Sequence, residues 1–329
     1  MSISNRSVTG KTIVITGASS GAGRAAALEF APYKPYLVIA ARNKNSLNEL
    51  AEECTALGAK VLVVQTDVTD PKAVINLANQ AQDWQGQLDV WINNAGVLAA
   101  GDFDKTPMEV HQQIIETNLL GYMNGAHAVL PIFKSQQHGV IINNISIGGY
   151  LPVPYGAGYT ASKFGLRGFS EALKAELTAW PQIYVCDLFP AFLDTPGIYH
   201  SGNYTGKVLK PAPPVYDPKR LAQAMLKVVE NPGNHANTYV GSASLLLKFS
   251  HALFPELTTK LTGLVMRRYF NVADDLPATN GNLFNTVKYG MSTHGGFGTS
   301  GKPKAHRKYL AAALLAGLAT SALVVGLKK

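Results

Sequence analysis

The chain has 329 residues, 47% of them hydrophobic, two cysteines and a formal net charge of +8. This length and apolar content suffice for one large α/β domain plus an extension, and they exclude a disordered or disulfide-stapled chain. Nor does the charge point to nucleic acid: residues 277–329 hold seven Lys or Arg and no acid, leaving about +1 on the remainder, so the basic character describes a tail.

In chain order, residues 1–9 are short and polar, without the apolar core of a signal peptide. Residues 11–16 form a β-branched apolar run of the kind buried on both faces of a parallel sheet. The run enters Gly17-x-x-x-Gly21-x-Gly23, with Ser19 and Ser20 inside the turn, and then a helix-forming stretch from Arg24 to Phe30. Strand, glycine turn and helix N-terminus make an anion site, because free backbone amides and the helix dipole face a pyrophosphate that glycine lets approach. A second strand, residues 36–40, ends in Ala41-Arg42-Asn43. An NAD-preferring site usually places a carboxylate there for the ribose 2′-OH. Arg42 instead suits a 2′-phosphate, so NADP(H) is favoured over NAD(H).

Residues 140–145 read as another strand and deliver Ser146 to the carboxyl edge of the sheet, just before Gly148-Gly149. Tyr159 and Lys163 follow at i and i+4, sharing one helix face, with Phe164, Phe169, Leu173 and Leu177 as an apolar stripe. Moving a hydride to or from an alcohol carbon leaves a proton to be handled. A Tyr does this near neutrality only if its pKa falls from about 10 by roughly 3 units, or about 4 kcal/mol. The Lys163 ammonium is expected to supply that shift by favouring the phenolate. Ser146 is expected to bind and polarise the substrate oxygen. The eight His are scattered and no His/Cys cluster has ligand spacing, so no metal site is expected. Cys54 and Cys186 fall in a helical run and an apolar strand, as reduced, buried thiols do.

Over residues 8–240 the chain resembles the short-chain dehydrogenase/reductase family. The resemblance implies a doubly wound Rossmann fold with a parallel sheet of about seven strands. Residues 61–68 resemble the third strand, ending in Asp67, which the family places near the adenine. Residues 90–96 resemble the fourth strand and its Asn-Asn-Ala-Gly turn, giving Asn94, Ala95 and Gly96 as cofactor contacts. Asn118 matches the family's helix Asn, which supports a proton-relaying water beside Lys163, and Lys163 also holds the nicotinamide ribose. Pro190 to Thr195 resembles the Pro-Gly-x-x-x-Thr turn beneath the nicotinamide, with Ala191 in place of the usual Gly; the change is costly only if that backbone needs a positive φ. Ser20 stands where many NADP-preferring members carry a basic residue, so NAD(H) remains the alternative. Residues 196–218 are expected to cover a small carbonyl or alcohol substrate, with His200 as a solvated loop residue. The family commonly assembles as homodimers or homotetramers through the helices that carry Asn118 and Tyr159.

The division expected is a catalytic domain (1–244), an apolar helical extension (245–289), a Gly/Ser-rich basic linker (290–308) and a hydrophobic tail helix (309–329). Residues 310–327 carry no charge and as a helix would be about 27 Å long, near the bilayer core thickness. Basic clusters flank both ends. The tail is therefore expected to anchor the protein in membrane lipid on the cytoplasmic side, with a cytoplasmic location as the alternative, and to favour a lipophilic substrate. A catalytically silent dinucleotide-binding sensor or scaffold is the rival reading; it predicts loss of Asn118, Ser146, Tyr159 or Lys163, and all four are present.

Overall fold

The computed structural model describes residues 8–298. β1 (Thr12–Thr16) is wholly buried, and its alternate side chains feed two cores. Ile13 and Ile15 pack with Leu37, Ile39, Ile92 and Ile142 on one side of the sheet, whereas Val14 joins Val38, Val64, Trp91 and Ile141 on the other. A strand covered on both faces has no polar side to present, which is why it reads as a continuous apolar run.

The chain then alternates helix and strand: α1 (Gly21–Phe30), β2 (Tyr36–Ala41), α2 (Lys44–Ala56), β3 (Lys60–Gln65), α3 (Pro71–Gln85) and β4 (Val90–Asn93). A two-residue β5 (Ala99–Ala100) precedes α4 (Met108–Ile115), a π-turn (Glu116–Leu120) and α5 (Gly121–Gln136). Next come β6 (Gly139–Asn144), α6 (Ala157–Glu176), β7 (Ile183–Pro190), a short β8 (Gly202–Asn203), α7 (Lys219–Glu230) and β9 (Asn237–Val240). Among the described residues the main sheet has seven strands in the order β3-β2-β1-β4-β6-β7-β9, every adjacent pair parallel. The order reverses between β1 and β4, and ligands of open α/β sheets bind in the crevice at such a switch point.

A polar ladder fixes the register of the central strands. Asn93, Asn143 and Asp187 are Cα partners across β4, β6 and β7. Asn93 Nδ2 donates to Asn143 Oδ1 at 3.0 Å and Asn143 Nδ2 donates to Asp187 Oδ1 at 3.2 Å. The ladder is terminated by Trp91 Nε1 on Asn93 and by Ser170 and Lys174 on Asp187, the last two both at 2.6 Å. A slip of one residue would leave these buried groups unpaired.

Beyond the sheet, α8 (Ser242–Leu253) and α9 (Pro255–Val272) form the helical extension. Only Ser244 is buried on α8 and no residue is buried on α9, so this pair lies on the surface. Residues 290–298, expected as a flexible linker, instead pack on the catalytic domain: the amides of Gly295, Phe297 and Gly298 donate to the Asp194 carboxylate. Composition misled here because glycines needed for tight packing look like glycines of a linker. Among the described residues no helix is long and apolar enough to cross a membrane. The expected tail helix, 309–329, lies outside the described residues.

Candidate functional site

The glycine turn forms as the sequence implies, for steric reasons that can be read atom by atom. Gly17 and Gly21 have φ of +64° and +54°, where a side chain strains the backbone. A Cβ on Gly17 would lie 2.6 Å from Ala95 Cα, and one on Gly23 would lie 2.3 Å from Gly17 O. Asn94 buttresses the turn, its Nδ2 donating to the carbonyls of Thr16 and Gly17 and its Oδ1 accepting from Asn144. Thr16, which the motif passes over, ties the same corner: its Oγ1 accepts from the amides of Asn94 and Ala95. Ser20 precedes α1 in extended conformation and makes no side-chain cap, so the first-turn amides are left to other acceptors.

At the other end of the crevice β6 delivers Ser146 with φ of +96°, a strained conformation for a non-glycine residue. Its Oγ accepts from Gly148 N at 3.2 Å, and the hydroxyl acts to lower the Tyr159 pKa. Gly148 is required because a Cβ there would lie 2.9 Å from the Tyr159 ring. Lys163 is buried one turn along, its Nζ 3.4 Å from Asn144 O and over the rings of Tyr122 and Tyr159 at 5.0 and 5.8 Å. Burial lowers the Lys163 pKa to about 7.

Tyr159 departs from the sequence-based expectation. Burial raises its pKa, and the opposing influence is the Ser146 hydroxyl rather than the Lys163 ammonium. Lys163 is itself desolvated, and its Nζ lies 3.4 Å from Asn144 O and 5.8 Å from the centre of the Tyr159 ring.

Asn118, fully buried in the π-turn, accepts from Val97 N and donates to Val97 O, both at 2.8 Å, with Ser162 Oγ at 3.3 Å. It clamps the chain leaving the Asn94-Ala95-Gly96 turn, and the closeness of Asn118 Oδ1 to Gly96 completes that contact. Asp67 caps its own turn, accepting from Thr69 N and Oγ1. Ala191 does not take a positive φ, so the missing glycine costs no strain. Pro190 closes β7, and Thr195 lies against the glycine turn, its Cβ 3.2 Å from where a Cβ of Gly21 would stand.

The structure therefore brings Gly17, Ser20, Gly21, Gly23, Asn94 to Gly96, Asn118, Ser146, Tyr159, Lys163 and Thr195 to the switch-point crevice. A model of the short chain dehydrogenase family matches residues 11–201. The chain belongs to that family. Its relatives include the uncharacterized oxidoreductase YxnA of Bacillus subtilis, 32% identical over 261 residues, 78% of this chain and 72% of that protein. Estradiol 17-beta-dehydrogenase 11 of Macaca fascicularis is 30% identical over 265 residues, covering 79% and 87%. Among solved structures, an alcohol dehydrogenase from the archaeon Thermococcus sibiricus complexed with 5-hydroxy-NADP superposes with a TM-score of 0.60 at 26% identity, covering 70% of this chain and 94% of that one.

As a short-chain dehydrogenase/reductase the protein is an NAD(P)-dependent oxidoreductase, and its residues fit such a dinucleotide. The test lies at the anion corner, where the uncapped Gly21 amide already holds an oxygen, the carbonyl of Ser292, at 2.9 Å. Arg42, at the end of β2, is likewise engaged by oxygens, donating to the carbonyls of Asn282, Leu283 (3.0 Å) and Phe284 (3.4 Å). His200, expected in solvent, is 2% exposed and bonds Tyr289 O at 2.9 Å, its pKa lowered by burial. Sequence reasoning missed this C-terminal contribution entirely. The available signal was the clustering of Gly290, Gly295, Gly296 and Gly298 after the apolar pair Leu283-Phe284.

Proposed function

We propose that the protein interconverts a lipophilic alcohol with its ketone or aldehyde, using NADP(H), with Tyr159 handling the proton. The observation that carries this reading is that Ser146, at the carboxyl edge of β6, stands beside Gly148 and the Tyr159 ring, with Lys163 Nζ 5.8 Å from that ring, in the crevice of a short-chain dehydrogenase fold. A bound nicotinamide dinucleotide supplies or takes up the hydride. In the reductive direction Ser146 Oγ orients the carbonyl oxygen, and Tyr159 gives that oxygen its phenolic proton as the carbonyl carbon is reduced. In oxidation the phenolate takes the proton back. Lys163 holds the ribose end, and Asn118 fixes the Val97 backbone that borders the site.

The 2′-phosphate preference rests on the absence of a carboxylate at the end of β2 and on Arg42 there. The NADP derivative bound by the archaeal relative agrees with it. The lipophilic substrate rests on the 17-beta-dehydrogenase name of a relative. The exposed apolar face of α8–α9 and the uncharged segment 310–327 support attachment to membrane lipid.

Tyr159→Phe in the full chain tests the assignment. Turnover of apolar ketones is expected to fall by about 10²–10⁴-fold, while NADPH binding followed by nicotinamide fluorescence is retained. Unchanged turnover would end the proposal, and tighter NADH than NADPH binding would remove the cofactor preference alone.

A further inference from the structure

Residues 279–298 cross the crevice from one side to the other. The segment enters by pairing Thr279 with Asn203 and by donating from Asn282 N to His200 O at 2.7 Å. Leu283 then points inward and is fully buried with Val97, Ala99, Val110 and Ile114, in the cluster against which Tyr159 packs. The main chain around it turns its carbonyls the other way: those of Asn282, Leu283 and Phe284 accept from Arg42, and that of Val287 accepts from Asn43 at 3.5 Å. The carbonyl of Ser292 takes the Gly21 amide. The segment leaves through Gly295, Phe297 and Gly298, whose amides converge on the Asp194 carboxylate at 3.1, 2.8 and 2.9 Å.

Neutral carbonyl oxygens thus sit on two donor groups, the Gly21 amide at the anion corner of the glycine turn and the Arg42 guanidinium that the proposed function gives to the 2′-phosphate of NADP(H). The same residue, Leu283, reaches both Arg42 and the cluster beside Tyr159. A dinucleotide stretched between those points needs the same donors. We propose that residues 282–292 act as a built-in competitor of the dinucleotide, and that their displacement makes the site discriminate for a 2′-phosphate.

This rests on the reading of Arg42 and Gly21 as cofactor donors. Exchanging carbonyls for phosphate oxygens replaces neutral hydrogen bonds by charge-assisted ones roughly twice as strong. NADPH therefore returns to Arg42 more than the segment's release removes. NADH offers Arg42 nothing, so it must leave the guanidinium on the segment or strip it of three acceptors. The two ends stay tethered, by the Thr279–Asn203 pairing on one side and by Asp194 on the other, so that release is confined to the middle and includes the Asn282 amide and the Tyr289 carbonyl that bond His200.

The experiment is hydrogen–deuterium exchange on the full-length protein, with NADPH or NADH at concentrations that saturate nicotinamide fluorescence. NADPH is expected to speed exchange within 282–292 and leave 295–298 protected, and NADH to do so less at equal occupancy. Slower or unchanged exchange in 282–292 with NADPH bound would overturn the inference, because the segment would then be a cover laid over the cofactor. Absence of binding by either dinucleotide would remove the cofactor reading and the inference with it. Leu283→Ser supplies a second reading, since it unseats the buried side chain without touching a donor. A segment closed nine parts in ten masks affinity tenfold, so the variant is expected to bind NADPH roughly tenfold tighter. Weaker binding, with faster release, would overturn the inference.

Discussion

At Tyr159, burial and the Ser146 hydroxyl pull the acidity of the phenol in opposite directions, burial raising the pKa and the hydroxyl lowering it. Ser146→Ala therefore removes the lowering partner, and the limb of the oxidation rate profile that reports the phenolate is expected to move to higher pH. A rate profile unmoved in pH would show that another group sets the limb. Lys163 leads to a prediction about stability. Its folded pKa, about 7, lies below its ordinary value of 10.5, because burial penalises the ammonium. The unfolded chain then binds more protons between those values, so this group's penalty is full below about pH 7 and is relieved as pH rises toward 10.5. Lys163→Met abolishes that contribution. The difference in Tm between variant and parent should be largest near pH 7 and shrink toward pH 10, and a constant difference would refute the desolvated lysine. The sequence placed Tyr159 and Lys163 on one face of α6, because helical i, i+4 spacing is a local property. It could not show which partner governs the phenol, since that depends on Lys163 facing Asn144 O across the fold.

At the scale of elements, the strands were legible because a sheet covered on both faces leaves its signature in composition. The π-turn was not, since the sequence Glu-Thr-Asn-Leu-Leu carries no helix breaker. What drives the irregularity is tertiary: Asn118 bonds both backbone groups of Val97, which lies outside the helix. The β4–β6–β7 ladder is similar, since Asn143 and Asp187 become meaningful only once their strands are adjacent. Asp187→Ala removes the acceptor of Ser170 and one acceptor each from Asn143 and the Lys174 ammonium, which keep Ser170 Oγ and the Ala236 and Asn237 oxygens, and is expected to cost about 3 kcal/mol in denaturant unfolding with the m-value unchanged. A loss below 1 kcal/mol would mean that water repairs the ladder. Residues 290–298 were misread for the opposite reason. A Cβ on Gly295 would lie 2.5 Å from Thr195 O and one on Gly298 3.0 Å from Asp194 Oδ2, so these glycines are small by necessity.

The whole molecule presents two unlike faces. The crevice is closed in by the C-terminal segment, while α8 and α9 expose Leu245, Phe249 and Leu253, then Leu257, Leu261, Leu264 and Val265, at helical i, i+4 spacing. Phe249 and Leu253 are 57% and 70% exposed, which is unusual for a patch this contiguous on a protein surrounded only by water. Lys260, Arg267 and Arg268 give α9 a net positive charge against Glu256. Apolar side chains interleaved with cations suit an anionic lipid surface, and the cleft that α9 forms with Tyr155 is lined by Leu264 and Phe270 together with Arg267, Arg268 and Asn271. If substrate enters from lipid, Leu253→Ser with Leu261→Ser in the full chain should raise KM for a long-chain ketone carried in phosphatidylserine-containing vesicles. Turnover of a short water-soluble ketone should stay unchanged, because neither leucine lines the crevice. An equal loss on both substrates would point to damaged folding, and no loss on either would separate the apolar face from substrate entry, leaving the uncharged segment 310–327 as the sole support for a membrane site of action.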